Sequence, residues 1–278
     1  MLLKFSIITV CLNAADRICD TVRSVAIQDY PDIEYIVVDG SSKDSTLEVL
    51  EGVLKECGKN VSSKVISEPD DGLYDAMNKG IAASSGDIIY FLNAGDELYD
   101  GWTISRVAAG FLGETGSGGK KTAENRDIVY GNIIYRYPDG SEQLRRYGRM
   151  CGSRLYYITG DCINHQALFA RRECFEGKAF DTGLKICADR EWMMRMHEVS
   201  KRFSCLDITV CRYRLDGEGV SEKNPELYWK EAEHCIRLHM PHSLWAYRIF
   251  NTLRNNKFTS KLLHGLYKAL FIHNTQTP

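Results

Sequence analysis

Four aspartates stand beside residues that could make them part of a phosphate- or sugar-handling site. Asp39 follows Ile36-Val37-Val38 and precedes Gly40-Ser41-Ser42. Asp70 opens Asp70-Asp71-Gly72, Asp96 closes Asn93-Ala94-Gly95-Asp96, and Asp189 follows Ala188 at the head of an amphipathic stretch. A carboxylate at the carboxyl end of a central strand lies where open α/β sheets bind ligands, and a neighbouring glycine lets a ligand approach the backbone. In that position Asp96 suits a hard divalent cation that grips phosphate oxygens. Asp39 can accept a hydrogen bond from a base N–H or a ribose hydroxyl, but it can equally close its own turn or cap a helix. Asp70 has the same two readings. Asp189 can serve as a general base for an attacking hydroxyl or as a helix cap. His165 reads as a core histidine or as a residue beside a phosphate or acceptor.

The elements that must position these residues follow from periodicity. Phe5 to Val10, Ile33 to Val38, Lys64 to Ser67 and Ile88 to Leu92 read as strands; Ile33 to Val38 reads as buried, and Ile88 to Leu92, a short apolar run bounded by turn residues, as buried on both faces. Between them lie helical patterns. One runs from Asp16 to Gln28, with Ile18, Val22, Val25 and Ala26 at helical spacing. A second opens at Asp44 and Thr46, and a third spans Leu73 to Ala83. This β-α-β-α-β-α-β order demands a mostly parallel sheet with right-handed crossovers. All carboxyl ends then meet on one side. Thr9 with Asn13, Asp39, Asp70, and Asn93 with Asp96 become the border of a single cleft. Further along, Asp127 to Tyr137, Gln143 to Tyr147, Leu168 to Ala170 and Phe203 to Tyr213 read as strands. Ala188-Asp189 opens a helix that turns Trp192, Met193 and Met196 inward. Gly113 to Asn125 reads as a flexible loop.

Composition narrows the class. The chain has 278 residues, 44% hydrophobic and 26% charged, with no apolar run near the roughly 18 residues a membrane span needs. Met1 to Val10 reads as a strand rather than a secretory signal, so the expected location is cytoplasmic. The 10 cysteines form no CxxC pair, which argues against zinc and a disulfide framework, and the sequon at Asn60 carries no weight. No GxGxxG follows the first strand, and GxxxxGK[ST] and GxSxG are absent. A nicotinamide dehydrogenase, a P-loop phosphotransferase and an α/β-hydrolase are therefore disfavoured. Aromatic and basic residues are not interleaved as in nucleic-acid binders. The net charge of −2 hides an asymmetry: beyond Glu233 there are six basic residues and no acid.

Four segments in order carry a resemblance: residues 5–13 (FSIITVCLN), 35–46 (YIVVDGSSKDST), 68–80 (EPDDGLYDAMNKG) and 86–96 (GDIIYFLNAGD). They resemble the family-two, GT-A-fold inverting glycosyltransferases, and within these the bacterial enzymes of surface-polysaccharide assembly, of the colanic-acid and O-antigen type. The resemblance is strong over Phe5 to Tyr99, with a weaker echo at residues 164–171 (NHQALFAR) and 187–191 (CADRE). It implies that Thr9 and Asn13 border the nucleotide, that Asp39 binds the base, and that Asp70 lies near the ribose or base. Asp96 would be the metal-coordinating acid of a DXD-type motif and Asp189 the catalytic base, with Asn93 and His165 on the nucleotide-sugar side. Two departures stand out. The first acid of the motif is here the amide Asn93, and Met77 stands where many relatives carry arginine.

The expected architecture is thus an α/β GT-A fold with a Rossmann-like, mostly parallel sheet. Residues 1–240 form the transferase domain, with 1–100 the nucleotide-sugar half and 126–240 the acceptor half, and residues 241–278 form a basic amphipathic helical tail. The expected activity is transfer of a sugar from a nucleotide-sugar, foremost a UDP-sugar, to a hydroxyl of a glycan or polyprenyl-linked acceptor. Mg²⁺ or Mn²⁺ would be the cofactor, diphosphate oxygens would complete its ligand set, and nucleic acid would play no part. The mixture of Leu244, Trp245, Ile249, Phe250 and Leu253 with basic residues fits a helix lying on the inner face of the cytoplasmic membrane, or one packed on the domain or on a second copy in a homodimer. Two other classes stay open. A non-catalytic nucleotide-sugar-binding scaffold is motivated by the incomplete acidic motif. A nucleotidyltransferase would want a basic, glycine-rich loop after the first strand, where Asn13-Ala14-Ala15-Asp16 stands.

Overall fold

The computed structural model describes residues 2–58, 62–113, 126–217, 219–255 and 259. The expected loop from Gly113 to Asn125 apart from Gly113 itself, the sequon at Asn60 and the tail beyond 255 apart from Thr259 lie outside the described residues.

The amino-terminal part is the expected alternation. Strands β1 (Phe5–Cys11), β2 (Ile33–Asp39), β3 (Ser62–Ser67) and β4 (Ile88–Phe91) alternate with helices α1 (Ile18–Ala26), α2 (Thr46–Cys57) and α3 (Leu73–Ala83). Beyond them come β5 (Glu97–Leu98), α4 (Thr103–Phe111), β6 (Ile128–Arg136), β7 (Glu142–Arg145), α5 (Arg154–Ile158), β8 (Leu168–Arg171), α6 (Ala188–Glu198) and β9 (Phe203–Arg214). Helices α7 (Val220–Lys223), α8 (Pro225–His239) and α9 (Leu244–Asn255) follow. Strand β5 and helices α4, α5, α7 and α8 go beyond the expectations above.

One sheet in the order β3-β2-β1-β4-β8-β6-β9-β5 runs through both parts, with β7 paired to β6. β1 and β4 are buried on every residue, as their apolar runs demand, whereas β3 is a mostly exposed edge. Strands β1 to β4 are mutually parallel. β8 then pairs antiparallel with β4 and with β6, and β9 is parallel to β6. Hence β6 and β9 point the same way as β1 to β4, and most strands share one direction, as expected.

The reversed strand β8 matters most for the site. Its amino-terminal entry lies at the same sheet edge as the carboxyl ends of β4 and β9. Residues that precede β8 therefore meet residues that follow β4. The seam is sealed by Tyr90 of β4 stacked on Phe169 of β8, with ring centroids 4.0 Å apart. Burying each of these rings stabilises the fold by roughly 1.5–3 kcal/mol. A second aromatic group, Phe175 stacked on Trp192 at 4.7 Å with Phe180 beside both, anchors α6 behind the seam.

Candidate active site

Two groups of the expected residues form at this edge. The first gathers at the ends of β1 to β3. The register pairs Cys11 with Asp39 and Asp39 with Ser67, so the Asp39 carboxylate sits between its neighbours. It is fully buried and accepts hydrogen bonds from the Ser42 N–H at 3.1 Å, the Ser42 hydroxyl, and the Ser67 hydroxyl at 2.7 Å. The turn reading thus describes what Asp39 does, and base contact would require one of these donors to be exchanged. Asp70 closes its own turn by accepting the Gly72 N–H at 2.9 Å, and Gly72 takes φ +119°, a left-handed conformation that favours glycine. Asp70 approaches Gly40 so closely that a Cβ on Gly40 would lie 2.3 Å from Asp70 Oδ2. Asn13, at φ +49°, accepts the Lys43 N–H on its side-chain oxygen and donates its own backbone N–H to the Ser42 hydroxyl oxygen, each at 2.8 Å. Asn13, Asp39 and Asp70 therefore belong to one neighbourhood. Thr9 is a correction. It is fully buried, donates to the Leu92 carbonyl at 2.7 Å and accepts from the Tyr35 hydroxyl at 3.0 Å, so it is a strut between strands rather than a cleft residue.

The second group lines a cavity of about 360 Å³ that includes Asn93, His165, Gln166 and Asp189. None of Asn13, Asp39 and Asp70 lines it. Asn93 follows β4, His165 lies in the turn that enters β8, and Asp189 is the second residue of α6. The helix cap reading of Asp189 gives way, because the capping position is Cys187. Its carboxylate instead faces His165 Nδ1 at 3.2 Å and the Tyr74 hydroxyl at 3.1 Å. On its other side, His165 Nε2 lies 3.0 Å from Asn93 Nδ2.

Asp96 is buried below this cavity. One oxygen accepts the Arg214 backbone N–H at 2.9 Å, and the other accepts Gln166 Nε2 at 3.0 Å. Burial pushes its carboxyl up to about 7, against the pull of those two donors. Among the described residues no cluster of three or more His, Cys, Asp or Glu side chains could hold a cation. A cation that arrives with a diphosphate needs only one or two protein oxygens. The Asn93 Oδ1 is buried and has no hydrogen-bond partner among the described residues, and Asp96 follows in the same turn, with its N–H on the Asn93 carbonyl at 3.0 Å. This pair fits the protein side of such a site. The acidic motif is therefore one oxygen-donor amide plus one buried carboxylate rather than two acids.

Several residues at the site escape sequence reasoning. Gln166 ties Asp96 to the entry of β8, and Tyr74 of α3 donates to the Ile186 carbonyl at 2.6 Å while touching Asp189. Glu231 of α8 accepts the N–H groups of Lys185, Ile186 and Cys187, each at 2.9 Å, and so holds the approach to Asp189. Gln166 and Tyr74 stand inside the segments that carried the resemblance. Glu231 leaves no trace in spacing, since its partners lie more than 40 residues away.

A family model for glycosyl transferase family 2 matches residues 6–175. The PGL/p-HBAD biosynthesis glycosyltransferase of Mycobacterium bovis is 37% identical over 171 residues, 62% of this chain and 60% of that protein. An uncharacterized glycosyltransferase of Mycobacterium tuberculosis is 29% identical over 261 residues, 91% of each chain. Among solved structures, S. aureus TarS in complex with UDP-GlcNAc superposes with a TM-score of 0.63 at 19% identity, covering 96% of this chain and 73% of that one. The mannosyltransferase PcManGT from Pyrobaculum calidifontis, in complex with GDP-Man and Mn²⁺, gives 0.56 at 16% identity, covering 98% and 82%. At such identities the structures share the GT-A fold alone. The family match is independent of them and spans more than half the sequence, from β1 to just beyond β8, so the chain belongs to glycosyl transferase family 2.

Proposed function

We propose that the protein transfers a sugar from a nucleotide-sugar to an acceptor hydroxyl with inversion, with Asp189 as the general base. The observation that carries this reading is the shared cavity. Asn93, from the turn after β4, and Asp189, from the start of α6, line one space with room for reacting groups. Asp189 takes the proton of the acceptor hydroxyl, whose oxygen forms the new bond to the anomeric carbon. The bond from that carbon to the diphosphate oxygen breaks from the opposite face, and the leaving nucleoside diphosphate keeps the electron pair. Mg²⁺ or Mn²⁺ would be held by Asp96 and Asn93 Oδ1, and when bound it neutralises charge on the leaving diphosphate.

The donor is read as a UDP-sugar, supported by the UDP-GlcNAc in one structural neighbour, with the GDP-Man of the other as the competing class. Asn13, Asp39 and Asp70 form the neighbourhood for its nucleoside, with Asp70 the less engaged acid. The acceptor is a glycan or lipid-linked glycan of surface-polysaccharide assembly, a reading helped by the PGL/p-HBAD biosynthesis name of the mycobacterial relative. Among the described residues no helix is long and apolar enough to cross a membrane. Helix α9 turns Tyr247 inward and leaves Trp245, Ile249 and Leu253 exposed, a stripe that supports peripheral contact with the inner membrane face.

The test is a donor screen over UDP-, GDP- and dTDP-sugars with Mn²⁺, read by thermal shift and slow donor hydrolysis. One nucleotide class is expected to stabilise the protein and be slowly hydrolysed. Asp189→Asn is expected to keep that stabilisation and lose transfer by about a thousandfold. Transfer at the wild-type rate in Asp189→Asn would remove the base assignment.

A further inference from the structure

We propose that His165 is a positioning residue for Asp189, locked as its Nδ1–H tautomer by the Asn93 amide, so that the donor-side turn and the base form one hydrogen-bonded unit. This rests on the reading of Asp189 as the base. The three side chains come from the turn after β4, the entry to β8 and the start of α6. They lie 72 and 24 residues apart, yet they make a continuous chain: Asn93 Nδ2 to His165 Nε2 at 3.0 Å, then His165 Nδ1 to Asp189 Oδ2 at 3.2 Å. The His165 and Asp189 side chains are each only 14% exposed, so water does not readily replace either contact.

The donor inventory selects one arrangement. An ionised Asp189 only accepts hydrogen bonds, so the imidazole nitrogen facing it must carry a proton. In a neutral imidazole the other nitrogen then carries a lone pair, and a donor must face it. Asn93 meets that demand with Nδ2, which leaves its Oδ1 as the unpartnered atom. Turning the amide over would set Oδ1 against Nε2, require the proton there, and put the bare Nδ1 against the carboxylate. In a neutral imidazole the amide orientation and the tautomer of His165 therefore select each other. The second carboxylate oxygen is held independently by the Arg190 N–H at 2.7 Å, with the Tyr74 hydroxyl alongside. His165 fixes the remaining degree of freedom, the rotation that aims Oδ2. Its role is thus orientation of the base through a neighbour's proton rather than contact with the nucleotide.

The first test needs no substrate. Long-range ¹H–¹⁵N spectra of the full chain are expected to show His165 as the Nδ1–H tautomer, shifting to a tautomer mixture in Asn93→Ala. An Nε2–H tautomer in the wild type would overturn the proposal. The second test is kinetic, with UDP as the binding probe and the donor selected by the screen. His165→Phe is expected to lower transfer kcat by about tenfold to a hundredfold while UDP affinity stays within about threefold. His165→Asn, whose amide can still donate toward Asp189, is expected to recover most of the loss and guards against misfolding of the phenylalanine variant. In an Asp189→Asn background His165→Phe is expected to add less than about twofold, since the two act as one unit. Multiplying losses in the double mutant, or a fall in UDP affinity as large as the fall in kcat, would return His165 to the donor contacts and refute the positioning role. Full transfer by Asp189→Asn alone would sink the base assignment, while the tautomer spectrum would still report on the Asn93–His165 contact.

Discussion

The amino-terminal and carboxyl-terminal parts of the sheet build their site residues in opposite ways. In β1 to β4 each polar residue sits at or just past the end of its own strand, and parallel pairing does the gathering: Asp39 meets Ser67 because β2 and β3 are in register. In the second part the strands reverse and skip. β8 enters between β4 and β6, and the residues that matter are held by partners far along the chain, Gln166 on Asp96 and Glu231 on the loop before α6. The first part is a set of local turns brought together by topology. The second is a network whose members have no meaning until the fold exists. Disturbing the first part should therefore change nucleotide binding, whereas disturbing the second should change transfer.

The largest expected effect is at Gly86, which opens the β4 stretch. A Cβ there would lie 2.7 Å from the Ser6 nitrogen and 2.8 Å from the Lys4 carbonyl, both backbone atoms of the chain entering β1. Gly86→Ala should cost about 3 kcal/mol in denaturant unfolding and weaken nucleotide binding with it. Unchanged stability would show that β1 and β4 can separate without harm. Next is Glu231→Ala, which strands three N–H groups. We expect a loss of about 2 kcal/mol and a roughly tenfold fall in kcat, with donor affinity unchanged. Equal losses in kcat and affinity would erase the distinction between the two parts.

Asp96 joins the two parts, and its effect depends on pH. Its folded-state carboxyl lies at about 7, above the ordinary 3.8, so the folded protein holds a proton that the unfolded chain has released. Wild-type stability at this site is highest below about pH 4 and declines as pH rises to about 7. Asp96→Asn does not titrate. Its unfolding free energy relative to wild type should therefore rise between pH 4 and pH 8, by an amount on the order of a few kcal/mol, while Mn²⁺-dependent donor stabilisation is lost. A pH-independent difference would show that Asp96 is not held as a buried acid. The smallest effect is Ser67→Ala, which removes one donor from Asp39. It should cost about 1 kcal/mol and leave kcat unchanged while altering nucleotide affinity. A kcat effect there would mean that the first group reaches the chemistry directly.

Much of the first part was legible in the residues. The apolar runs of β2 and β4 are continuous because those strands are largely buried, and the glycines and aspartates after them mark turns, so the sheet edge and its polar border could be drawn without coordinates. Even there, the roles of individual side chains could not. Thr9 looks the same in sequence whether its hydroxyl faces a cleft or, as it does, the Leu92 carbonyl. Periodicity reports which face of an element is buried, and it depends only on near neighbours in the chain. That is what the sequence by itself determined: the order of strands and helices, the shared edge, and the family that this order belongs to. The tertiary structure decided the rest, including the reversal of β8, the donors that engage Asp39 and Asp96, and the chain from Asn93 through His165 to Asp189. These are directional contacts between residues up to 118 positions apart, as for Arg214 and Asp96. Hydrogen bonds of this kind leave no periodic pattern, and only the packed sheet sets which donor faces which acceptor.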